Sequence, residues 1–291
     1  MPELPEVETI RRDLDVLIGQ KISALDILDA KTASPSAAFL KRALMGKKLL
    51  KIERRGKLLI FVFSADQFLL IHLKMTGQLI FQSKKHRIAG GHSLAEGSFE
   101  KAVGGKLPNK YTRAIFSFSG GGQLFFNDLR KFGYLKLVNA QELKNILAKN
   151  YGPEPLTPEF SLARFQEIIK NRKTKIKAVL LNQKLIAGLG NIYVDEALFA
   201  AGIRPTRLAS SLKKEELEKL YKAINRLIKK ALEYRGTTFS NYVDSRGKKG
   251  NFSRFLKVYG RQKEACLVCK TKIVKVKLAG RGTTYCPHCQ K

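Results

Sequence analysis

The chain has 291 residues, 44% of them apolar, which is enough for two domains with cores of their own. It contains no run of about 18 apolar residues and no basic N-terminal segment leading into an apolar one, so neither a membrane-spanning helix nor a secretion signal is expected and the protein reads as cytosolic. Fifty-five Lys and Arg against twenty-four Asp and Glu leave a net charge of +31, which suits a polyanionic partner, nucleic acid first, although a solvated basic surface would give the same composition.

The chain opens "MPELPEVE", two prolines and three carboxylates ahead of an amphipathic helix. Val7, Ile10, Leu14, Leu17 and Ile18 recur at helical spacing, with Arg11, Arg12, Asp13 and Asp15 opposite them, and Gly19 ends the helix. From Lys21 the pattern changes to short apolar runs, "KISALDIL", "KLLKIERRGKLLIFVF", "QFLLIHLKMTGQLIF", "RAIFSFSGGGQLFFND" and "GYLKLV", which read as antiparallel strands. "SGGGQ" reads as a hairpin turn, and residues 1–137 as a β-sandwich or flattened barrel with the helix at its side. Residues 82–108 lack periodicity and are rich in Gly, Ser and Lys, so a long loop or insertion is expected, with His86 and His92 as surface histidines.

"NYGPEPLTPEF" marks a linker, taken as 138–158, after which helices dominate. Ser161 can cap one through Lys170, Thr174 another through Leu181, and Asn191–Ala201 forms a third, stopped by Gly202. The longest, "KKEELEKLYKAINRLIKKALEYRG", buries Leu217, Leu220, Ile224, Leu227, Ile228 and Ala231. In "GLGN", Gly188 and Gly190 precede the helix that begins near Asn191, so backbone N–H groups converge where a phosphate fits. With no preceding strand and no third glycine, a dinucleotide site is not indicated. The helical segment is taken as 159–250 and the tail as 251–291.

Cys266-x2-Cys269 and Cys286-x2-Cys289, sixteen residues apart, have the spacing of a structural tetrahedral zinc site closed across a β-hairpin. Four thiolates leave no open position for catalysis. The tail from Asn251 holds ten Lys and Arg against one Glu, which makes it a basic prong, with Arg281 in the turn region between the cysteine pairs and a glycine on either side of it.

By itself an acidic N-terminal turn is helix capping, to which Glu6, Glu8 and Pro5 are suited. It also admits a chemical reading. Removal of Met1 would leave a secondary amine on Pro2, whose attack on a sugar C1′ gives a permanently cationic iminium, an electron sink that labilises the C2′ hydrogen and the 3′ phosphate. Glu3 could manage the protons of ring opening if burial raised its pKa.

"PELPEVE", "RRGK" at 54–57, "HLKM" at 72–75, "DLRKFG" at 128–133, "GPEPL", "GLGNIY", "VYGR" and the four-cysteine tail together resemble bacterial formamidopyrimidine-DNA glycosylase, in the same order over nearly the whole chain. The resemblance implies an α+β fold: an N-terminal helix and antiparallel β-sandwich, a helical helix-two-turn-helix domain, and a zinc-finger β-hairpin. It implies a monomer acting on double-stranded DNA with oxidised bases or abasic sites, one structural Zn2+, and excision of oxidised purines followed by β- and δ-elimination. Rival readings are an endonuclease VIII-like enzyme for oxidised pyrimidines and a catalytically silent zinc protein that binds damaged DNA.

By similarity Pro2 is the nucleophile and Glu3 the proton donor, with Glu6 beside them. Lys57, expected on a strand, assists β-elimination, and Arg281 grips phosphate and assists δ-elimination. Met75, Arg130 and Phe132 resemble the triad that fills the hole left by an extruded nucleotide. His72, Tyr111, Arg172, Lys173, Lys177, Asn191 and Arg261 fall on DNA-contacting segments of the family. Tyr111 stands where the family often has histidine, and "SRGKKGN" departs from the lesion-reading loop, which bears on lesion preference.

Overall fold

The computed structural model describes residues 1–95, 98–237 and 251–291. The chain forms two compact units: Met1–Leu147 with Tyr234–Asn251, and Ala148–Glu233 with Phe252–Lys291. Among the described residues no helix is long and apolar enough to cross a membrane.

In the first unit, helix α1 (Leu4–Asp13) starts with Glu3 at its N-cap and a proline in its first turn, and Glu6 accepts the Glu3 N–H at 2.9 Å to make a capping box. A 3-10 turn over Leu14–Leu17 continues it to Gly19. Val7, Ile10, Leu14 and Leu17 are buried as their spacing predicts, but Ile18 is 41% exposed, because the tighter last turn rotates it off the apolar face.

The strands are β1 (Ile22–Ile27), β2 (Ala33–Ser34), β3 (Leu49–Arg55), β4 (Leu58–Phe63), β5 (Gln67–His72), β6 (Gly77–Gln82), β7 (Arg87–Gly91), β8 (Thr112–Phe118), β9 (Gln123–Asp128) and β10 (Tyr134–Val138); helix α2 (Ala37–Leu44) lies between β2 and β3. They make two five-stranded sheets, β1-β8-β9-β6-β7 and β2-β10-β5-β4-β3, antiparallel except for the short β2/β10 pair. The expected sandwich is present. Its core joins α1 to both sheets, with Leu59, Phe61, Leu79, Phe116, Phe126 and Leu135 at its centre.

The stretch over residues 82–108, expected as a loop or insertion, contains two regular elements. β7 pairs with β6 from Gln82↔Arg87 to Gln78↔Gly91, and helix α3 (Phe99–Val103) follows. The reason is a second apolar layer: Ile80, Ile115 and Phe125 point to the outer face of their sheet, and Val103, with Phe99 and Leu107 packed nearby, covers them. An outward-facing apolar triplet was the sequence signal for a cover. The linker expected over 138–158 likewise begins with a helix, α4 (Ala140–Asn150), capped reciprocally by Asn139 and Glu142 at 2.9 and 3.0 Å; none of its residues is buried, so no apolar stripe announced it.

The second unit contains α5 (Leu162–Ile169), capped by Ser161, α6 (Ile176–Leu181), α7 (Asn191–Ala201), ended by Gly202 in the left-handed conformation, and α8 (Lys214–Glu233). Three of these match expectation closely. The N-cap of α6 is Lys175, one residue beyond Thr174. On α8 the buried stripe runs through Leu217, Leu220, Ala223, Ile224, Ile228 and Ala231, while Leu227 is half-buried at its margin. Strands β11 (Val274–Leu278) and β12 (Arg281–Tyr285) form the C-terminal hairpin, and their connecting pair Ala279-Gly280 has φ of +49° and +69°, the doubly left-handed turn that suits a two-residue loop. The "SRGKKG" of the segment compared above with the lesion-reading loop lies outside the described residues.

Candidate active site and nucleic-acid interface

Pro2 and Glu3 are buried at the mouth of α1, Glu3 with 3% of its surface exposed, while Met1 is 41% exposed. Glu6, expected beside them as a catalytic group, has both oxygens occupied. Oε2 takes the Glu3 N–H, and Oε1 takes the Thr237 N–H at 2.7 Å and the Thr237 hydroxyl at 3.0 Å. It is an anchor that ties residues 236–237 to the N-terminal turn. Arg235 adds a bidentate pair to Asp13, both contacts at 2.7 Å. Glu8 is structural as well. Burial works to raise its carboxyl, but Arg12, Arg54 and Arg11 outweigh that and hold it below the usual range.

Lys57 is not on a strand. Arg55 pairs with Leu58, so Gly56 and Lys57 form the two-residue turn between β3 and β4, with Gly56 at φ +58°. The lysine is 5% exposed, which also rules out an ordinary edge lysine. Arg54 steadies the turn through the Gly56 carbonyl at 2.9 Å and the Glu8 carboxylate at 3.0 Å.

Two neighbouring turns carry the expected gap-filling residues. Met75 is half-buried in the turn between β5 and β6, and Arg130 and Phe132 are exposed between β9 and β10, with the guanidinium 4.9 Å from the Phe132 ring centre. Asp128, 1% exposed, joins these turns: its carboxylate accepts from the Thr76 hydroxyl, the Arg130 N–H at 3.1 Å and the Gly133 N–H at 2.7 Å. The Arg130 N–H also reaches the Thr76 oxygen at 3.0 Å. Neither Asp128 nor Thr76 was singled out in the sequence; the available signal was an acid one residue ahead of a turn rich in backbone donors.

His72 supports the same region from within. Its Nδ1 accepts the Lys74 N–H at 3.0 Å, and burial, followed by the charges of Lys74 and Lys57, lowers its pKa to about 3. It is therefore a neutral brace for the Met75 turn. Tyr111 is half-buried, its ring lying where a Cβ at Gly104 would come within 2.8 Å, and its carbonyl accepts the Asp128 N–H at 2.9 Å.

In the second unit, Asn191 is the first residue of α7, after Gly188 at φ +92° and the N-cap Gly190. Its Nδ2 donates to the Gly282 carbonyl at 2.9 Å, and its Oδ1 is sheltered without a hydrogen bond. Lys177 overturns the expectation of a phosphate contact. It is wholly buried, with Nζ 2.6 Å from Asp195 Oδ1, while Asp195 Oδ2 accepts the Thr284 N–H at 3.0 Å. This pair fastens β12 to α7. A charge removed from water this completely is stable only when paired, so the lysine is committed to the interior. Burial raises the Asp195 carboxyl against the pull of Lys177 and Thr284.

Glu196, also missed in the sequence, collects the N–H groups of Lys257, Val258 and Tyr259 at 2.8 to 3.0 Å and thereby shapes the "VYGR" turn. Arg261 in that turn faces inward on the knuckle, bonding Glu264 at 2.8 Å and the Lys257 and Ala265 carbonyls at 3.0 and 3.4 Å, so it braces the zinc segment instead of presenting a cation outward. Arg172, Lys173 and Arg281 are exposed, as a phosphate contact requires.

The four cysteine sulfurs lie within 4.8 Å of one another, with Cys269–Cys286 at 3.4 Å and Cys266–Cys289 at 3.9 Å. Those separations are too long for disulfides and bracket the roughly 3.8 Å expected between thiolates on one tetrahedral zinc. Backbone N–H groups of Val268 and Cys289 reach Cys266 and Cys286 sulfurs at 3.4 Å, as they do for thiolates. The cluster is a structural zinc site.

A sandwich opening on a buried Pro-Glu pair, with a helical unit carrying a basic four-thiolate hairpin, defines a zinc-containing nucleic-acid enzyme class. Residues 1–135 match the formamidopyrimidine-DNA glycosylase N-terminal domain, residues 151–243 the formamidopyrimidine-DNA glycosylase H2TH domain, and residues 263–291 the zinc finger found in FPG and IleRS. The formamidopyrimidine-DNA glycosylase of Pelotomaculum thermopropionicum is 41% identical, covering 100% of this chain and 99% of that protein, and that of Carboxydothermus hydrogenoformans is 40% identical with 100% of both covered. Among solved structures, the Lactococcus lactis Fpg in complex with abasic-site DNA is 36% identical at a TM-score of 0.85 with 99% of both chains covered, and a variant of it with Fapy-dG-containing DNA is 36% identical at 0.86 with 100% of both covered. The chain belongs to the formamidopyrimidine-DNA glycosylase family.

Proposed function

We propose that this protein is a cytoplasmic base-excision enzyme, a DNA glycosylase and AP lyase that acts as a monomer on oxidised purines such as 8-oxoguanine and formamidopyrimidines in duplex DNA. The observation that carries the reading is the buried Pro2-Glu3 pair at the start of α1 in a chain of this family. Removal of Met1 would free the Pro2 imino group. Its lone pair attacks C1′ of an extruded nucleotide, the bond from C1′ to the base breaks, and Glu3 handles the protons of ring opening. The resulting iminium acidifies C2′–H and lets the 3′ phosphate leave. Lys57, a buried cation, meets the flanking sugar and phosphate. Met75, Arg130 and Phe132, on turns clamped by Asp128, occupy the vacated stack. On the second unit Arg172, Lys173, Arg281 and the start of α7 at Asn191 hold phosphates. The zinc holds the hairpin together and takes no part in the chemistry.

Borohydride trapping on an abasic-site duplex tests the nucleophile: wild type should form a covalent adduct at Pro2, while a Pro2 replacement or a chain that keeps Met1 should form none and still bind DNA. An adduct in the Met1-retaining protein would refute the assignment. A lesion panel with 8-oxoguanine and thymine glycol, each opposite all four bases, tests the preference for purines.

A further inference from the structure

A cleft of about 690 Å³ opens at the C-terminal end of α7, where residues of that helix, α8, the 3-10 turn over Phe252–Phe255 and the first cysteine knuckle come together. All of it belongs to the second unit. Asn191, proposed above to hold phosphate, starts the same helix, so the cleft lies about 15 Å from it along the axis.

The floor is apolar. Phe199, Phe252, Phe255 and Leu227 line it, and Val268 stands at its edge on the knuckle. Val268 is 65% exposed and its neighbour Leu267 56%, so the apolar surface continues out of the cleft onto the knuckle. The rim is cationic. Lys219, Arg226 and Lys230 fall at i, i+7 and i+11 on α8 and share one face, and Lys257 adds a fourth charge. Lys230 Nζ lies 3.7 Å from the centre of the Phe255 ring, which joins rim to floor at one point. The one acid among the described lining residues is Glu196. It is 3% exposed and uses both oxygens on the N–H groups of Lys257, Val258 and Tyr259, so it offers no carboxylate to the rim.

The end of α7 contributes acceptors. The Ala200 carbonyl lacks its i+4 helical donor, because the Arg204 N–H goes to the Lys291 carbonyl at 2.8 Å, and the Ala201 carbonyl lacks one because residue 205 is proline. Both alanines line the cleft.

We propose that this cleft docks an acidic segment of a partner protein in which Phe or Leu side chains stand between Asp and Glu. The carboxylates answer the four cations, the apolar side chains fill the floor beside Phe255, and backbone N–H groups of the segment meet the Ala200 and Ala201 carbonyls. Duplex DNA matches only the charge. Its outer surface is phosphate and sugar, with no N–H for the carbonyls and no bulky apolar group for the floor. A free phosphate is matched no better, since the backbone donors it would use at residues 257–259 are already taken by Glu196. With the phosphate-holding start of α7 at the other end of the helix, the segment and a duplex can bind together.

Fluorescence anisotropy of the full-length, zinc-loaded protein tests this. One probe is a short labelled peptide of Asp and Glu interrupted by Phe and Leu; the other has Ser in place of every Phe and Leu. The first should bind saturably and the second at least about tenfold more weakly. Lys219→Glu/Arg226→Glu changes two exposed residues and should weaken the first peptide by about tenfold or more, while affinity for an abasic-site duplex and borohydride trapping stay as in wild type. Lys173→Ala should do the reverse, losing duplex affinity and keeping the peptide. Equal binding of the two peptides would mean plain attraction to a chain of net charge +31. Unchanged affinity in the double variant would put the peptide elsewhere, and a parallel loss of duplex affinity would make the cleft part of the DNA surface. Each of these results, like an absence of binding, overturns the proposal.

Discussion

Replacing Asp128 by Ala removes the acceptor that joins the Met75 turn to the Arg130–Phe132 turn. Three donors converge on this 1% exposed carboxylate, but they do not lose equally. The Arg130 N–H keeps the Thr76 oxygen at 3.0 Å, whereas the Thr76 hydroxyl and the Gly133 N–H lose the acceptor they have here. A buried donor without an acceptor costs about 1 to 3 kcal/mol, so the loss is about 3 kcal/mol with partial relief from water entering the cavity. For a unit of this size that lowers the first thermal transition by roughly 6 to 12 °C. Asp128→Asn should do little better, because both oxygens accept from backbone N–H groups, of Arg130 and of Gly133, and the amide NH2 would face one of these donors in either orientation. The functional consequence separates by substrate. Excision of 8-oxoguanine from a duplex needs the gap filled and should slow more than trapping on a single-stranded abasic oligonucleotide, which leaves no stack to repair. Calorimetry with single-turnover excision checks both. An Asp128→Ala protein with wild-type melting and wild-type duplex excision would refute the clamp.

Lys177→Met strands the Asp195 carboxylate in the interior and should destabilise by about 3 to 5 kcal/mol, with recovery in Lys177→Met/Asp195→Leu; chemical denaturation of the three proteins decides it. Lys173→Ala should leave stability unchanged, weaken duplex binding and reduce the dependence of log Kd on log salt by about one unit, as measured by titration at several salt concentrations. Cys266→Ser should release zinc, seen by metal analysis, and weaken DNA binding while the N-terminal chemistry on an abasic site survives at high protein concentration. The His72 pKa lies near 3 when folded and near 6.5 otherwise, so the unfolded chain binds more protons in that window: stability should rise with pH from about 3 to about 6.5 and level off above it, and His72→Gln should flatten that slope in melting experiments.

Local signals carried most of the fold. The capping residues of α1 and α5, the glycine that stops α7, the period of α8, the "SGGGQ" turn and the cysteine spacing each depend on residues within a few positions of one another, so a single sequence exposes them. Expectations failed where the deciding partner was distant. β7 and α3 exist because an outer apolar face needs covering, and the 82–108 composition alone hid that. Lys57 became a turn residue through a register of β3 on β4 that no propensity specifies. Lys177 looked like one more surface cation in "NRKTKIK" because its partners, Asp195 and Thr284, come from α7 and β12.

The same distinction separates the site residues that the family resemblance proposes from those that only the geometry brings out. A motif points to groups that meet substrate, since their chemistry restricts residue type: an imino terminus, an acid beside it, cations for phosphate, an aromatic wedge. Groups that hold those residues in place are restricted only by the shape of their surroundings. Glu6, Asp128, Asp195 and Glu196 each use one carboxylate to gather hydrogen-bond donors into a loop, a turn or a hairpin edge. Unlike Glu3, whose carboxylate is proposed to act on protons, these four acids are therefore fasteners, and a neutral replacement of any of them should loosen the segment it holds before it alters the chemistry.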